Sequence, residues 1–369
     1  MIRHLYVHIP FCPKVCPYCS FYKEASDHNK TQAFLDSLLL ELDLRIQHGM
    51  QLQPHTIFFG GGTPSALSIH QLDFLLTALH QRLDLSQLRE WTLEMNPATV
   101  STDKAKLLRQ FAINRISMGV QSWDPETLVT LGRIHSDTQA LKSYEILRQA
   151  EFPKVNLDLI FGVPGQSPQS WLQSLQKTIR LQPDHISSYC LTYEEDTEFF
   201  LKLQRGEFAQ NHDADAELFE ATMDTLESAG FPQYEISNYA PEGNECLHNL
   251  AYWFGYDYLG LGPSAFSTVA GSRWQNAPDT TTYINSLQLR AFPITFQETL
   301  SPDVSRAEKI AFSIRTRFGI SLENFSLPSS SIENLLEENL VLNRNNHLLL
   351  TRKGKLLADE IAETLMDLP

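Results

Sequence analysis

The chain has 369 residues, 42% of them hydrophobic, which suffices for a full-sized core in two or three domains. Its 29 Lys and Arg face 44 Asp and Glu, a formal net charge of −15 with no run of five basic residues, which argues against a nucleic-acid partner. No apolar stretch approaches the roughly 18 residues of a membrane span, and MIRHLYVHIPFC lacks the apolar core of a signal peptide, so a cytoplasmic protein with no transmembrane segment is expected.

In chain order, strand-like runs alternate with helical patterns over the first half. The strands are Leu5–Ile9, Thr56–Gly60, Trp91–Asn96, Arg115–Gln121, Val155–Phe161 and Ile186–Tyr193, all rich in β-branched and aromatic residues. Between them, Phe34, Leu35, Leu38, Leu39, Leu42 and Ile46 mark one helical apolar face, and Leu72, Leu75, Leu76 and Leu79 mark another. Six β-then-α repeats predict a parallel sheet with helical crossovers, either open or closed into a partial barrel. The strand interiors favour the barrel. Thr92, Glu94 and Asn96 oppose Trp91, Leu93 and Met95, and Asn156 and Asp158 oppose Leu157, Leu159 and Phe161. Ser117, Gly119 and Gln121 likewise oppose Ile116, Met118 and Val120. A parallel strand buried on both faces is apolar on both, so a polar face implies a polar lumen.

After about residue 200 the pattern changes. A helical stretch near 211–229 precedes an aromatic, Gly-rich segment over 234–266. Residues 300–369 read as two or three amphipathic helices around a hairpin turning at Asn343–Asn346, a winged-helix-like order. The helix expected over Ile332–Leu342 carries Glu333, Glu337 and Glu338 and no basic residue, so this part reads as a packing or docking unit. The predicted division is 1–205, 206–295 and 296–369.

Five cysteines are present, and three crowd into Cys12-x3-Cys16-x2-Cys19 directly after the first strand. An odd count with this crowding does not suit a disulfide framework. Three thiolates on one loop can hold three irons of a cubane and leave the fourth open to an amino and a carboxylate group. The alternative is zinc with a fourth ligand such as His8 or Cys246, although zinc loops more often repeat C-x2-C. Cys190, on an apolar strand, is expected as a buried small hydrophobe.

The cysteine spacing with Tyr18 before the last cysteine resembles the radical-SAM family. Gly60-Gly61-Gly62-Thr63-Pro64, ending the second strand, resembles that family's glycine motif. The likeness is closer still to oxygen-independent coproporphyrinogen III oxidases and their relatives. Tyr6–Cys12, Gly119–Ser122, Leu131-Gly132-Arg133, Asp158–Gln166, Cys246–Trp253 and Leu259–Ala265 carry it, over most of residues 4–276. Within that family the dehydrogenases have a fourth cysteine where this chain has Phe21, and a longer N-terminal extension. Both departures, and His248-Asn249-x-x-Tyr252-Trp253, resemble the haem chaperone branch, HemW. Many relatives in that branch have a histidine where this chain has Phe266.

The resemblance implies a partial (β/α)6 radical-SAM barrel with a small C-terminal helical, winged-helix-like domain. It implies a [4Fe–4S] cluster on Cys12, Cys16 and Cys19. It also implies S-adenosylmethionine bound by Tyr6, Tyr18, Gly60, Gly61, Gly62, Thr63, Glu94, Gln121, Arg133 and Asp158. Ligands in such folds sit at the carboxyl ends of strands. Haem is implied as cargo, with His248 or Cys246 as candidate ligand, beside haem-accepting proteins and an electron donor for the cluster. His248 also fits a plainer role, a hydrogen-bonded residue at a domain junction with Tyr252 and Trp253 packed beside it. The other functional reading is an enzyme that decarboxylates two propionates of coproporphyrinogen III through a 5′-deoxyadenosyl radical, so whether the chain catalyses is left open.

Overall fold

The computed structural model describes residues 1–325 and 327–366. Six parallel strands form the centre: β1 (Ile2–Ile9), β2 (Leu52–Gly61), β3 (Glu90–Met95), β4 (Arg115–Gln121), β5 (Lys154–Phe161) and β6 (His185–Cys190). The crossovers run through α1 (His28–Gln47), α2 (Ile69–Arg82), α3 (Thr102–Gln110), α4 (Asp137–Gln149) and α5 (Pro168–Arg180). Their starts are written in the sequence. Asp27, Ser68, Ser101, Ser136 and Ser167 each accept backbone N–H bonds as N-caps, Ser68 in a reciprocal box with Gln71. Pro168 follows its cap at the position where a missing N–H costs nothing.

The alternation read from the strands holds. Trp91, Leu93, Ile116, Met118, Val120, Leu157 and Leu159 are buried beneath the helices, and the polar residues opposite them face the lumen. Burying each such side chain contributes about 1.5–3 kcal/mol. Asn96 falls outside the third strand. Its side chain accepts from the Ala98 N–H and starts a 3-10 turn instead.

The sheet is larger than six strands. Residues 206–295 supply α6 (His212–Ser228), β7 (Gln233–Glu235), β8 (Asn238–Tyr239) and β9 (Leu259–Leu261). The order is β9-β1-β2-β3-β4-β5-β6-β8-β7. β9 adds a seventh parallel strand beside β1, pairing Leu5 with Leu259 and Val7 with Leu261. β8 closes the other side, antiparallel to β6. Next come α7 (Leu247–Trp253) and a three-stranded sheet of β10 (Phe266–Val269), β11 (Ser272–Asn276) and β12 (Ile294–Thr299).

The C-terminal part has its own apolar core around Ile310, Ile314, Leu348, Ile361 and Leu365. It comprises α8 (Pro302–Ile314), β13 (Ile320–Ser321), α9 (Ser329–Glu337), β14 (Val341–Arg344), β15 (His347–Leu350) and α10 (Ala358–Met366). The helix expected over Ile332–Leu342 ends at Glu337, because Val341 and Leu342 pair with Leu350 and Leu349 as strand. The turn falls on Asn345 and Asn346 at φ 50° and 62°, a conformation asparagine tolerates. Among the described residues no helix is long and apolar enough to cross a membrane.

Candidate functional site

A cleft of about 660 Å³ runs down the lumen, from the cysteine loop at the carboxyl ends of the strands to Arg115 and Cys246 near their amino ends. Cys12, Cys16 and Cys19 are free thiols on its wall. Burial raises the Cys12 and Cys19 thiols above their ordinary value. Thr63 Oγ1 donates to Cys12 Sγ at 3.4 Å, Arg133 Nη1 to Cys16 Sγ at 3.4 Å, and Lys23 to the Cys19 carbonyl.

The glycine run is clamped to this loop. Gly62 N–H donates to the Ile9 carbonyl at 2.8 Å and Thr63 N–H to that of Phe11 at 2.9 Å. A Cβ on Gly62 would stand 2.7 Å from the Pro10 carbonyl, and one on Gly60 3.1 Å from Glu94 Oε1. Gly61, at φ 99°, would put a Cβ 2.5 Å from the His8 ring. His8 is fixed from both sides: its Nε2–H donates to the Tyr22 carbonyl at 2.8 Å and its Nδ1 accepts from Tyr6 Oη at 3.0 Å. Tyr6 therefore supports Gly61 through His8 and is not itself part of the cleft wall. Gly132, at φ 66°, lies against Pro17, where a Cβ would come within 2.6 Å. The Leu-Gly-Arg stretch thus packs on the cysteine loop and delivers Arg133 to it. Tyr18 packs against Phe199 in a small cluster with Leu131 and Ile160.

Glu94, Gln121, Arg133 and Asp158 come together in this cleft with Gly61, Gly62 and Thr63. Gln121 sits at φ 66°, where the β4–β5 register slips, a bulge that re-aims its side chain. Burial and the nearby Asp158 push the Glu94 carboxyl up to about 8, although the Gly61 N–H lowers it. Burial also raises Asp158, against bonds from Ser117 Oγ at 3.0 Å and Asn156 Nδ2 at 2.6 Å. Thr92 Oγ1, Gln121 Oε1 and Arg133 Nε are buried without a hydrogen-bond partner among the described residues. Leaving a buried polar atom unpaired costs about 1–3 kcal/mol, so these atoms suit a polar ligand.

Several cleft residues escaped the sequence reading as site residues: Thr92, Ser117, Asn156, His185, Ser187 and Tyr189. Three of them, Thr92, Ser117 and Asn156, alternate with apolar neighbours, and that period-2 signal could have found them. His185 Nδ1–H donates to Asn156 Oδ1 at 2.7 Å and Nε2 accepts from Tyr234 Oη at 2.8 Å, a buried relay that orients Asn156. Cys190 corrects the expectation of a buried hydrophobe. It is exposed at the end of β6, where the chain leaves the sheet, and lines the cleft.

His248 and Cys246 lie apart from the cysteine loop. His248 is 1% exposed, with Nδ1 hydrogen-bonded to Thr56 Oγ1 at 2.7 Å and Nε2 to Tyr252 Oη at 2.8 Å. Burial pushes its pKa down to about 3, so the ring is neutral. Cys246 Sγ donates to Glu90 Oε1 at 3.4 Å, and Glu90 is ion-paired with buried Arg115 at 2.9 Å. Both ring nitrogens are engaged and the thiol donates to Glu90, so neither residue offers a free ligand in this arrangement. Of the two roles read for His248, the geometry is that of the hydrogen-bonded junction residue.

The Radical SAM superfamily model matches residues 6–178. The chain is 33% identical to the haem chaperone HemW of Bacillus subtilis (strain 168) over 371 residues, 98% of both chains. It belongs to the HemW family of radical-SAM proteins. HemW of Escherichia coli (strain K12) is 39% identical over 266 residues, 72% of this chain and 70% of that one. A mouse relative, radical S-adenosyl methionine domain-containing protein 1, mitochondrial, is 37% identical over 71% of this chain and 59% of its own. Coproporphyrinogen III oxidase (HemN) from Escherichia coli superposes with a TM-score of 0.85 at 23% identity, over 98% of this chain and 89% of that one, which shows the shared fold.

The cofactors of this HemW-family chain are a [4Fe–4S] cluster and S-adenosylmethionine, and the cleft fits them: three free thiols on one wall and unpartnered polar atoms on the others. Among the described residues no three His, Cys, Asp or Glu side chains converge on a single ion position, as tetrahedral zinc requires. A cubane makes no such demand, since each cysteine binds a different iron.

Proposed function

We propose that this chain is a haem chaperone that binds haem and passes it to haem-requiring proteins. The observation that carries this reading is its 33% identity to a haem chaperone across 98% of both chains. Phe21 supports it from the site: it stands where the dehydrogenase pattern has a further cysteine, and its ring is 66% exposed at the mouth of the cleft.

In this reading Cys12, Cys16 and Cys19 hold the cluster and the rest of the cleft holds S-adenosylmethionine. When bound and reduced by an outside donor, such a cluster would supply one-electron chemistry toward S-adenosylmethionine. The chain's own residues bind and orient. Arg133 matches a carboxylate, Glu94 and Asp158 match an ammonium and ribose hydroxyls, and the Gly61–Gly62 backbone approaches closely because no Cβ intervenes. Tyr18 pins the loop, and Tyr6 acts behind it through His8.

The test uses anaerobically reconstituted protein. Haem titration is expected to give a saturating Soret band, and incubation with coproporphyrinogen III and S-adenosylmethionine is expected to give no protoporphyrinogen IX. Porphyrin turnover would overturn the chaperone reading in favour of the decarboxylating enzyme.

A further inference from the structure

A second cavity of about 460 Å³ opens at the seam where α7, the β10–β11 hairpin and α8 meet. Its size lies within the range of small-molecule sites. Six aromatic residues line it: Tyr189, Tyr252, Trp253, Tyr256, Tyr258 and Phe312. Tyr189, Ser237 and Asn249 also line the cofactor cleft, so the two spaces share one wall.

The charges around the cavity are nearly spent. Arg273 is held in a fork by Glu308 at 2.8 and 2.6 Å. Glu235 accepts from the Ser237 N–H at 3.0 Å, and burial pushes its carboxyl up to about 7. Lys309 is exposed at the rim and makes no ion pair among the described residues. A wall lined by aromatic side chains suits a flat apolar ligand, and the Lys309 ammonium, with no ion pair among the described residues, suits a carboxylate. A tetrapyrrole with propionate arms has both features.

The wall has no obvious ligand for iron. Among the described residues no histidine, cysteine or methionine lines the cavity. Tyr252 Oη is tied to His248 Nε2 at 2.8 Å, and burial raises the phenols of Tyr252 and Tyr258 above their ordinary value, which disfavours a phenolate.

We propose that this seam cavity binds a tetrapyrrole by its ring faces and one propionate, with Lys309 as the anion partner, with no ligation of iron, and with His248 as a positioning residue behind Tyr252. The proposal rests on the haem reading above and gives it a location.

Titration of the full chain with haem, metal-free protoporphyrin IX and its dimethyl ester tests the idea, followed by quenching of intrinsic fluorescence and by the Soret band. Wild type should bind haem and metal-free porphyrin within about threefold of each other. Lys309→Glu, a surface change, should weaken both by about tenfold, or ~1.4 kcal/mol, and leave the ester unaffected. Phe312→Ala should weaken all three, with a melting curve to confirm folding; if that variant fails to fold, Lys309→Glu decides. His248→Gln keeps a partner for Tyr252 and should retain affinity, whereas His248→Leu should lose it, with the Soret maximum unmoved in both. Haem binding more than a hundredfold tighter than free porphyrin, or a shifted Soret in the His248 variants, overturns the iron-free assignment. Wild-type affinities in Lys309→Glu overturn this cavity while leaving the chaperone reading intact. Wild type that binds no haem at all overturns both.

Discussion

Alanine at Gly62 adds one methyl group where the glycine run presses on the cysteine loop. The new Cβ would lie 2.7 Å from both the carbonyl carbon and oxygen of Pro10 and 2.8 Å from the Ile9 oxygen. All three are backbone atoms, and the same backbone already receives the Gly62 N–H at 2.8 Å, so no side chain can swing aside. Gly62 does not need the left-handed region, so the whole cost is steric. Overpacking of this kind costs about 1–3 kcal/mol. If the loop yields while the barrel stays folded, its competent arrangement falls by roughly five- to 150-fold. Iron per chain after anaerobic reconstitution, S-adenosylmethionine affinity by calorimetry and a melting curve separate the outcomes. Gly230→Ala is the control. It sits at φ 87° with nothing within 4 Å of a Cβ, so it should lose about 1–2 kcal/mol of stability and keep its iron. Normal iron and normal affinity in Gly62→Ala would refute the claim that this close approach shapes the site.

Three further perturbations read other parts of the site. Cys16→Ala should fold yet reconstitute with little iron, and close to four irons per chain in that variant would remove it from the ligand set. Arg115→Met strands Glu90, which is 3% exposed, and should cost about 3–5 kcal/mol in urea unfolding; a loss under about 1 kcal/mol would contradict a buried pair. Glu94 binds its proton more tightly folded than unfolded, so ionising it opposes folding as pH climbs from 4.5 to about 8. The stability of cofactor-free Glu94→Gln relative to wild type should therefore rise across that window, and parallel pH–stability curves for the two proteins would sink the argument.

The first half of the fold was legible because two periods carry it. The apolar and polar faces of β3, β4 and β5 alternate residue by residue, and the helices between them start at Ser or Asp caps. The cysteine loop was legible because its three donors are adjacent in sequence. β9 was missed because three residues, Leu259–Leu261, are too short to show a period, and only their parallel pairing with β1 makes them a strand. Cys190 was misplaced for a related reason. Its neighbours Ile186 and Leu191 are buried, but it is the last residue of β6 and the lumen opens beside it. Tyr6 was read as an S-adenosylmethionine-binding residue, and the structure puts His8 between it and Gly61.

The seam cavity shows where reading from sequence stops. Its aromatic walls come from residues 189, 252–258 and 312, and Lys309, with no ion pair among the described residues, stands at its rim. No short motif joins them, because α8, whose Ile310 and Ile314 sit in the C-terminal apolar core, lies far along the chain from the other walls. The family resemblance offered His248 as a haem ligand, imidazole being a usual axial ligand, while its neighbours Tyr252 and Trp253 also fitted a packed domain junction. Three-dimensional bookkeeping changes that role: Thr56 holds one nitrogen, Tyr252 holds the other, and Phe58 stacks on the ring at 5.2 Å. A histidine so enclosed fixes the phenol in front of it. In the proposed site the same stretch of chain would supply ligand contacts through Tyr252 and Trp253, which line the cavity, with His248 behind Tyr252.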